Sequence, residues 1–208
     1  MFRFKYLFLT VAAIALPACG AEAGSPSDTT AVQTSEKTQS VSSAPKWNVI
    51  EDSSHLKFSA KQEGEAFTGD FTVFKADINF DPENLGASSV TVTVPLKQVD
   101  AGTGDRNSTL PGAAWFSTKK FPEAVYTSSD ISQSSDGEYV AKGTLMLKGK
   151  DQPLELPFSL IIESGRAVMT SNVILDRTNW SVGEDPWNTD EWVSKNVTLD
   201  ILITATKS

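Results

Sequence analysis

A chain of 208 residues with 39% hydrophobic content and a mean hydropathy of -0.20 has enough material for one domain with a real core. It is too polar for a bundle of membrane helices, and no apolar run beyond the N-terminus is long enough to cross a bilayer. The 18 basic residues face 26 acidic ones for a formal charge of -8, and no basic stripe carries interleaved aromatics, so nucleic acid and anionic membrane surfaces are poor partners.

In chain order, the first element is an export signal. MFRFKYLFLTVAAIALPAC, residues 1–19, sets Arg3 and Lys5 ahead of an apolar stretch from about Tyr6 to Leu16 and then small residues, too short for a permanent membrane helix. Its end, Leu16-Pro17-Ala18-Cys19, resembles a bacterial lipobox, whose cysteine receives a diacylglycerol thioether and becomes the new N-terminus. Cys19 is the one cysteine of the chain. A lone thiol in an oxidising compartment has no disulfide partner, and lipidation accounts for both its uniqueness and its position. Pro17 departs from the small residue usual there; the alternative is ordinary cleavage after Ala21-Glu22-Ala23, which discards Cys19 and leaves a soluble periplasmic protein. The expectation is a periplasm-facing lipoprotein held on a membrane through its N-terminal lipid anchor. Residues 20–45 are small, polar and aperiodic, and predict a disordered tether reaching about 30 Å on average. Without Arg3 and Lys5 the remainder has 16 basic against 26 acidic residues, a charge of -10.

From Trp47 onward, in a domain placed at 46–208, the dominant period is two, the signature of half-buried strands. Leu56, Phe58 and Ala60 alternate with polar neighbours, as do Phe74, Ala76, Ile78 and Phe80, and the phase slips at Phe71-Thr72-Val73, which predicts a bulge or bend. Val90, Val92, Val94 and Leu96 follow, then Val140 with Leu145 and Leu147 across Gly143, then Leu154, Leu156, Phe158 and Leu160. The clearest run is the last: Val197, Leu199, Ile201, Ile203 and Ala205. Turn signals at Asp81-Pro82-Glu83-Asn84, Asp136-Gly137, Lys148-Gly149 and Ser164-Gly165 set hairpin spacing, so eight or nine antiparallel strands are expected. The period fails only in Asp100 to Pro122, where a short helical turn beginning near Ser108 or Thr109, with Pro111 in its first positions, is predicted. Periodicity does not distinguish a filled sandwich from a closed barrel with room for a small ligand.

The segments SSHLKFSA, FTGDFTVFKADINFDPENL, SSVTVTVPLKQVDAGTGDRNSTLPGAAWFSTKKFPEAVYTSS, YVAKGTLMLKGKDQPLELPFSL, LDRTNWSVG and WVSKNVTLDILITA, in that order, resemble the bacterial YceI-like family. The resemblance runs from about Trp47 to Lys207. It implies an all-β fold, an antiparallel eight-stranded lipocalin-like barrel with a short helical connection, whose apolar interior binds a polyisoprenoid or quinone-type lipid. It carries no catalytic residues and no metal. It implies a cavity lined by Leu56, Phe58, Phe74, Ile78, Val92, Val94, Tyr126, Leu145, Leu147, Leu156, Phe158, Leu199 and Ile201, closed at one end by Trp115 and Phe116. Members commonly place a histidine after the Arg-Asp pair; here Asp105-Arg106-Asn107-Ser108-Thr109-Leu110 has none. LPGAAWF and GEDPWNTDEWV resemble a branch that accompanies quinone-oxidising b-type membrane cytochromes, which suggests such a cytochrome as partner.

The stretch WSVGEDPWNTDEW, Trp180 to Trp192, needs a separate reading. Its four carboxylates share one loop, whereas a glycosidase needs two flanking the scissile bond, roughly 5 to 9.5 Å apart. With one histidine in the chain and no Asp-x-Asp-x-Asp spacing, a metal site is not indicated. A loop with three indoles must cover something, and Trp180 with its neighbours either caps a barrel mouth toward a ligand or plugs it as core. His55 reads as a solvated residue, and Arg177 as either a contact for a polar head group or a surface ion pair. The rivals to a lipid container are an enzyme acting on a lipid-linked substrate and a filled-barrel interaction module.

Overall fold

Alternation along each strand and short hairpin turns produce a wall of eleven segments in the computed structural model, which describes residues 43–208. The signal, Cys19 and most of the tether lie outside the described residues. The segments are β1 (Lys46–Val49), β2 (His55–Gln62), β3 (Glu65–Phe71), β4 (Lys75–Asn79), β5 (Ser89–Pro95), β6 (Val99–Asp100), β7 (Glu123–Ser135), β8 (Glu138–Leu147), β9 (Lys150–Glu163), β10 (Arg166–Asp176) and β11 (Asn196–Lys207). Every pairing is antiparallel, and β1 joins both β4 and β11, which closes the sheet on itself.

The eleven segments are eight staves, of which the first three are broken. β1 and β2 lie in succession along β11, interrupted by a 3-10 turn at Glu51–Ser53. β3 and β4 are halves of the second stave, parted at Thr72 to Phe74, where the sequence phase slips. β5 and β6 are halves of the third, separated by the 3-10 turn Leu96–Gln98. The remaining five, β7 to β11, are each ten or more residues long without a break, and every stave pairs with its neighbour in sequence. This is an up-and-down eight-stranded barrel, closed through β1, in which the β9–β10 ladder covers only residues 159–163 with 166–170.

The inward face is the apolar set. Gly69 lies opposite Phe58 in the β2–β3 ladder, and a Cβ there would stand 2.3 Å from Phe58 Cζ and 2.6 Å from Asp100 O, so only glycine lets the ring lie across the neighbouring stave. On β7 the register shifts between Ser128 and Asp130, and the bulge returns Ile131 to the interior after Ala124 and Tyr126. On β8 the inward residues are Tyr139, Ala141, Gly143, Leu145 and Leu147; Val140 has the opposite parity and faces outward, against the sequence expectation.

The helical connection also differs from its expected position. Helix α1 spans Gly104–Thr109 with Thr103 as N-cap, its Oγ1 accepting from Arg106 N at 3.4 Å, and Asp105 lies in the first turn. A capping threonine followed by an acid is a stronger start signal than Ser108 ahead of Pro111. Pro111 follows the helix and begins a run of turns in which Phe116 N donates to Leu110 O at 3.0 Å.

Candidate functional site

Two apolar cavities lie one above the other along the barrel axis. The lower, about 170 Å3, is bounded by every stave, with Phe74, Ile78, Val92, Tyr126, Leu156, Phe158 and Ile201 in its wall. The upper, about 140 Å3, is bounded by Phe58, Phe67, Phe71, Leu147 and, from the connection after α1, Leu110, Trp115 and Phe116. Leu56, Val94, Ala124, Leu145 and Leu199 belong to both walls and form a waist between them. The residues expected to line a cavity therefore face one of these two spaces, all but Trp180, which borders neither. Apolar cavities of about 150 Å3 stay dry and accept hydrocarbon. The titratable groups of the two linings are Tyr126 and Arg177.

An aromatic floor, which the sequence reading did not single out, closes the lower cavity. Phe80 meets Tyr139 edge-on at 5.4 Å, Tyr139 stacks on Phe158 at 5.3 Å, and Trp47 Nε1 donates to Phe80 O at 2.9 Å. The members come from four staves or the turns between them, so no local pattern announces the cluster. Tyr126 projects into the cavity above it. Its hydroxyl donates to Ala141 O at 2.9 Å, and burial pushes the phenol up to about 12.

The mouth at the opposite end is built around a buried cation. Arg177 is 3% exposed, and all its donors go to backbone carbonyls of the following loop: Nε to Ser194, Nη1 to Val182 and Gly183, Nη2 to Trp187 and Val193. Its guanidinium carbon lies 5.1 Å from the centroid of the Trp115 ring. Burial lowers its pKa from the ordinary value, with Asp176 and Asp190 opposing. With five donors satisfied by the chain itself, Arg177 is neither a surface ion pair nor a free contact for a ligand head; it is the latch of the mouth loop. Gly183, at φ 75°, makes room for it, because a Cβ there would strike Nη1.

Lys148 is a second latch that the sequence reading passed over. From the β8–β9 turn its Nζ donates to Ala114 O at 3.1 Å and Ser181 O at 2.6 Å, and it lies 3.6 Å from Glu184. Burial lowers its pKa, with Glu184 opposing. Glu184 is thus an outer counter-charge for the mouth, and Asp190 Oδ1 accepts from Lys195 N at 2.7 Å; two of the loop's four acids have structural partners. The three indoles separate. Trp180 is buried with Nε1 donating to Leu145 O at 2.8 Å, Trp187 packs on Trp115 with centroids 6.2 Å apart, and Trp192 is 42% exposed on the outside. Trp180 was expected to line the cavity. It is held behind the lining because its N–H must reach a backbone carbonyl of β8.

His55 is half-buried, contrary to the solvated reading, with Nε2 lying 3.4 Å from Asp200 without the alignment of a hydrogen bond. Among the described residues no cluster of three or more His, Cys, Asp or Glu side chains could hold a metal.

With this geometry in place, the comparisons with known proteins are specific. Residues 47–205 match the YceI-like domain. A UPF0312 protein of Photorhabdus laumondii is 29% identical over 119 residues, 57% of this chain and 52% of its own length; the chain spans about half the length of the curated relatives it matches. Among solved structures, BcnA of Burkholderia cenocepacia superimposes with a TM-score of 0.73 at 25% identity, covering 76% of this chain and all of that one. A polyisoprenoid binding domain from Saccharophagus degradans, described as implicated in plant cell wall breakdown, gives 0.61 at 15% identity over 80% of this chain and 100% of its own, a likeness of fold.

Proposed function

Because the chain belongs to the YceI-like family, we propose that its barrel takes up the hydrocarbon tail of an isoprenoid lipid, a polyisoprenoid or a quinone, and stores or delivers it without chemical change. The observation that carries this reading is the pair of carbon-lined cavities stacked along one axis and joined at a waist. Leaving 170 Å3 of such volume unfilled costs about 4 kcal/mol at 24 cal/mol per Å3, so a tail that fills it recovers that free energy along with its own removal from water. The description of the Saccharophagus neighbour as polyisoprenoid binding supports the same ligand class.

The enzyme alternative asks for a carboxylate with a raised pKa inside the barrel. The two interior linings contain none, and the described carboxylates whose pKa departs from the ordinary value, Asp100 and Asp176, are held below it. In our reading the protein works on the periplasmic side of a membrane, carried there by its leader and held by acyl chains on Cys19. A quinone-oxidising b-type cytochrome is then the recipient of the cargo.

Native mass spectrometry of residues 20–208, which lack the leader and the acylated cysteine, purified from cells without detergent and followed by organic extraction, tests the container. One isoprenoid bound per chain is the expected result. A mass equal to the protein alone, unchanged after incubation with quinones, would overturn it.

A further inference from the structure

A third concavity, about 220 Å3, lies in the barrel wall itself, between the broken first and second staves. Pairing of β1 with β4 ends at Trp47↔Ile78, and pairing of β2 with β3 resumes at Lys57↔Asp70. Each lip of the seam between these points is tied to its other neighbour instead. Ile50 N donates to Thr204 O of β11 at 2.8 Å, and Thr204 N donates to Ser54 Oγ at 3.0 Å; Thr72 Oγ1 donates to Gln98 O, beside β6, at 2.7 Å. The seam therefore has two anchored edges and no ladder across it.

What separates this cleft from the interior is Leu56, Phe71 and Phe74. Leu56 borders the cleft and both interior cavities, Phe74 the cleft and the lower cavity, Phe71 the cleft and the upper. The cleft thus meets the interior at the waist, behind a layer one side chain thick. Both ends of the barrel are closed more heavily: the mouth by the Arg177 and Lys148 latches, the floor by the Trp47, Phe80, Tyr139 and Phe158 cluster. Passage at either end breaks several hydrogen bonds or an aromatic stack. Passage through the seam needs only side-chain rotation.

We propose that the seam is a side gate, through which an isoprenoid tail enters and leaves at the waist while its head group rests in the outer cleft. This rests on the container reading above. The cleft lining carries three carboxylates, Glu51, Asp70 and Asp100, against one imidazole, His55, whose neighbour Asp200 is a further acid. Lys57 lies opposite Asp70 in the ladder but does not line the cleft. Such a rim repels a diphosphate and favours a neutral head, an alcohol or a quinone.

The test is stopped-flow tryptophan fluorescence of the full-length chain with ubiquinone-2, a short neutral quinone that quenches indoles. Val73 is exposed at the cleft, and Val73→Trp lays an indole over it without disturbing the core. Both association and dissociation are expected to slow by about tenfold, the mark of an obstructed passage, while Phe74→Ala speeds both. Trp187→Ala at the mouth leaves the rates within about threefold. Acceleration by Trp187→Ala with no effect of Val73→Trp would overturn the gate alone and make the mouth the route. Absence of any quenching of the unaltered protein would overturn the container and the gate together. For the head group, geranylgeraniol is expected to displace ubiquinone-2 at about one tenth the concentration of geranylgeranyl diphosphate, and the Glu51→Gln, Asp70→Asn double variant to narrow that gap. Equal potency of the alcohol and the diphosphate would overturn the neutral-head assignment.

Discussion

Tyr126 shows how one side chain records the dryness of the interior. Its phenol ionises in the fold only at about 12, above the ordinary 10.0, because burial penalises the phenolate. A raised acid pKa contributes stability that is complete below about pH 10 and is lost as pH rises toward 12. Denaturant midpoints measured from pH 9 to 12 should therefore fall more steeply for the unaltered protein than for Tyr126→Phe, which at pH 7 is less stable by about 1 kcal/mol for the lost hydrogen bond. Asp176 has the opposite sign. The Thr178 hydroxyl, which donates to its Oδ1 at 2.6 Å, lowers its pKa below 3.8 with help from Thr178 N, Lys195 and Arg177 against burial. Its contribution is present above that value and lost as pH falls through the lowered one. The melting-temperature gap between Asp176→Ala and the parent should be full at pH 6 and close in stronger acid. Of these roles, the inward position of Tyr126 was legible from its place in the resemblance. The latch role of Arg177 was not, because its partners are carbonyls of a loop that any residues would supply.

The mouth is two elements held by cations. Arg177→Leu leaves five backbone acceptors without donors, and we expect an unfolding free energy lower by about 3 kcal/mol or more. Acrylamide quenching of the indoles should increase in the same variant, since Trp187 belongs to the loop that Arg177 secures and packs on Trp115. The elements themselves were legible to different degrees. The phase slip at Phe71-Thr72-Val73 marked the break in the second stave, because an apolar period of two shows the loss of a single step. The break in the first stave passed unmarked: Glu51-Asp52-Ser53-Ser54 reads as a turn before a strand, and nothing local says that both sides pair with β11. Helix α1 was found but misplaced, since Thr103 with Asp105 and Ser108 with Pro111 are competing start signals a few residues apart.

For the molecule as a whole, the interior sets stability against capacity. Ala124 borders both cavities at the waist, and Ala124→Leu fills space that a tail would otherwise use. That variant should be more stable by about 1 kcal/mol and bind ubiquinone-2 about tenfold more weakly, by chemical denaturation and fluorescence titration respectively. Closure was legible only through the ordered resemblance. Strand periodicity is the same in a sandwich and a barrel, and the pairs that decide the matter, Trp47↔Lys207 and Val49↔Ala205, join the two extremes of the domain. The division of the wall into three broken staves and five whole ones has a consequence for amide hydrogen exchange. Along β8 the ladders to both neighbours run the length of the strand, so deuterium reaches those amides only when the whole barrel opens, whereas β9 and β10 pair with each other only between residues 159–163 and 166–170. Around the seam, amides held by one neighbour alone exchange through local opening. A deuterium-uptake map would therefore show slow amides along β8 and fast ones at two places, the gate and the stretches 150–158 and 171–176 where β9 and β10 lie unpaired with each other.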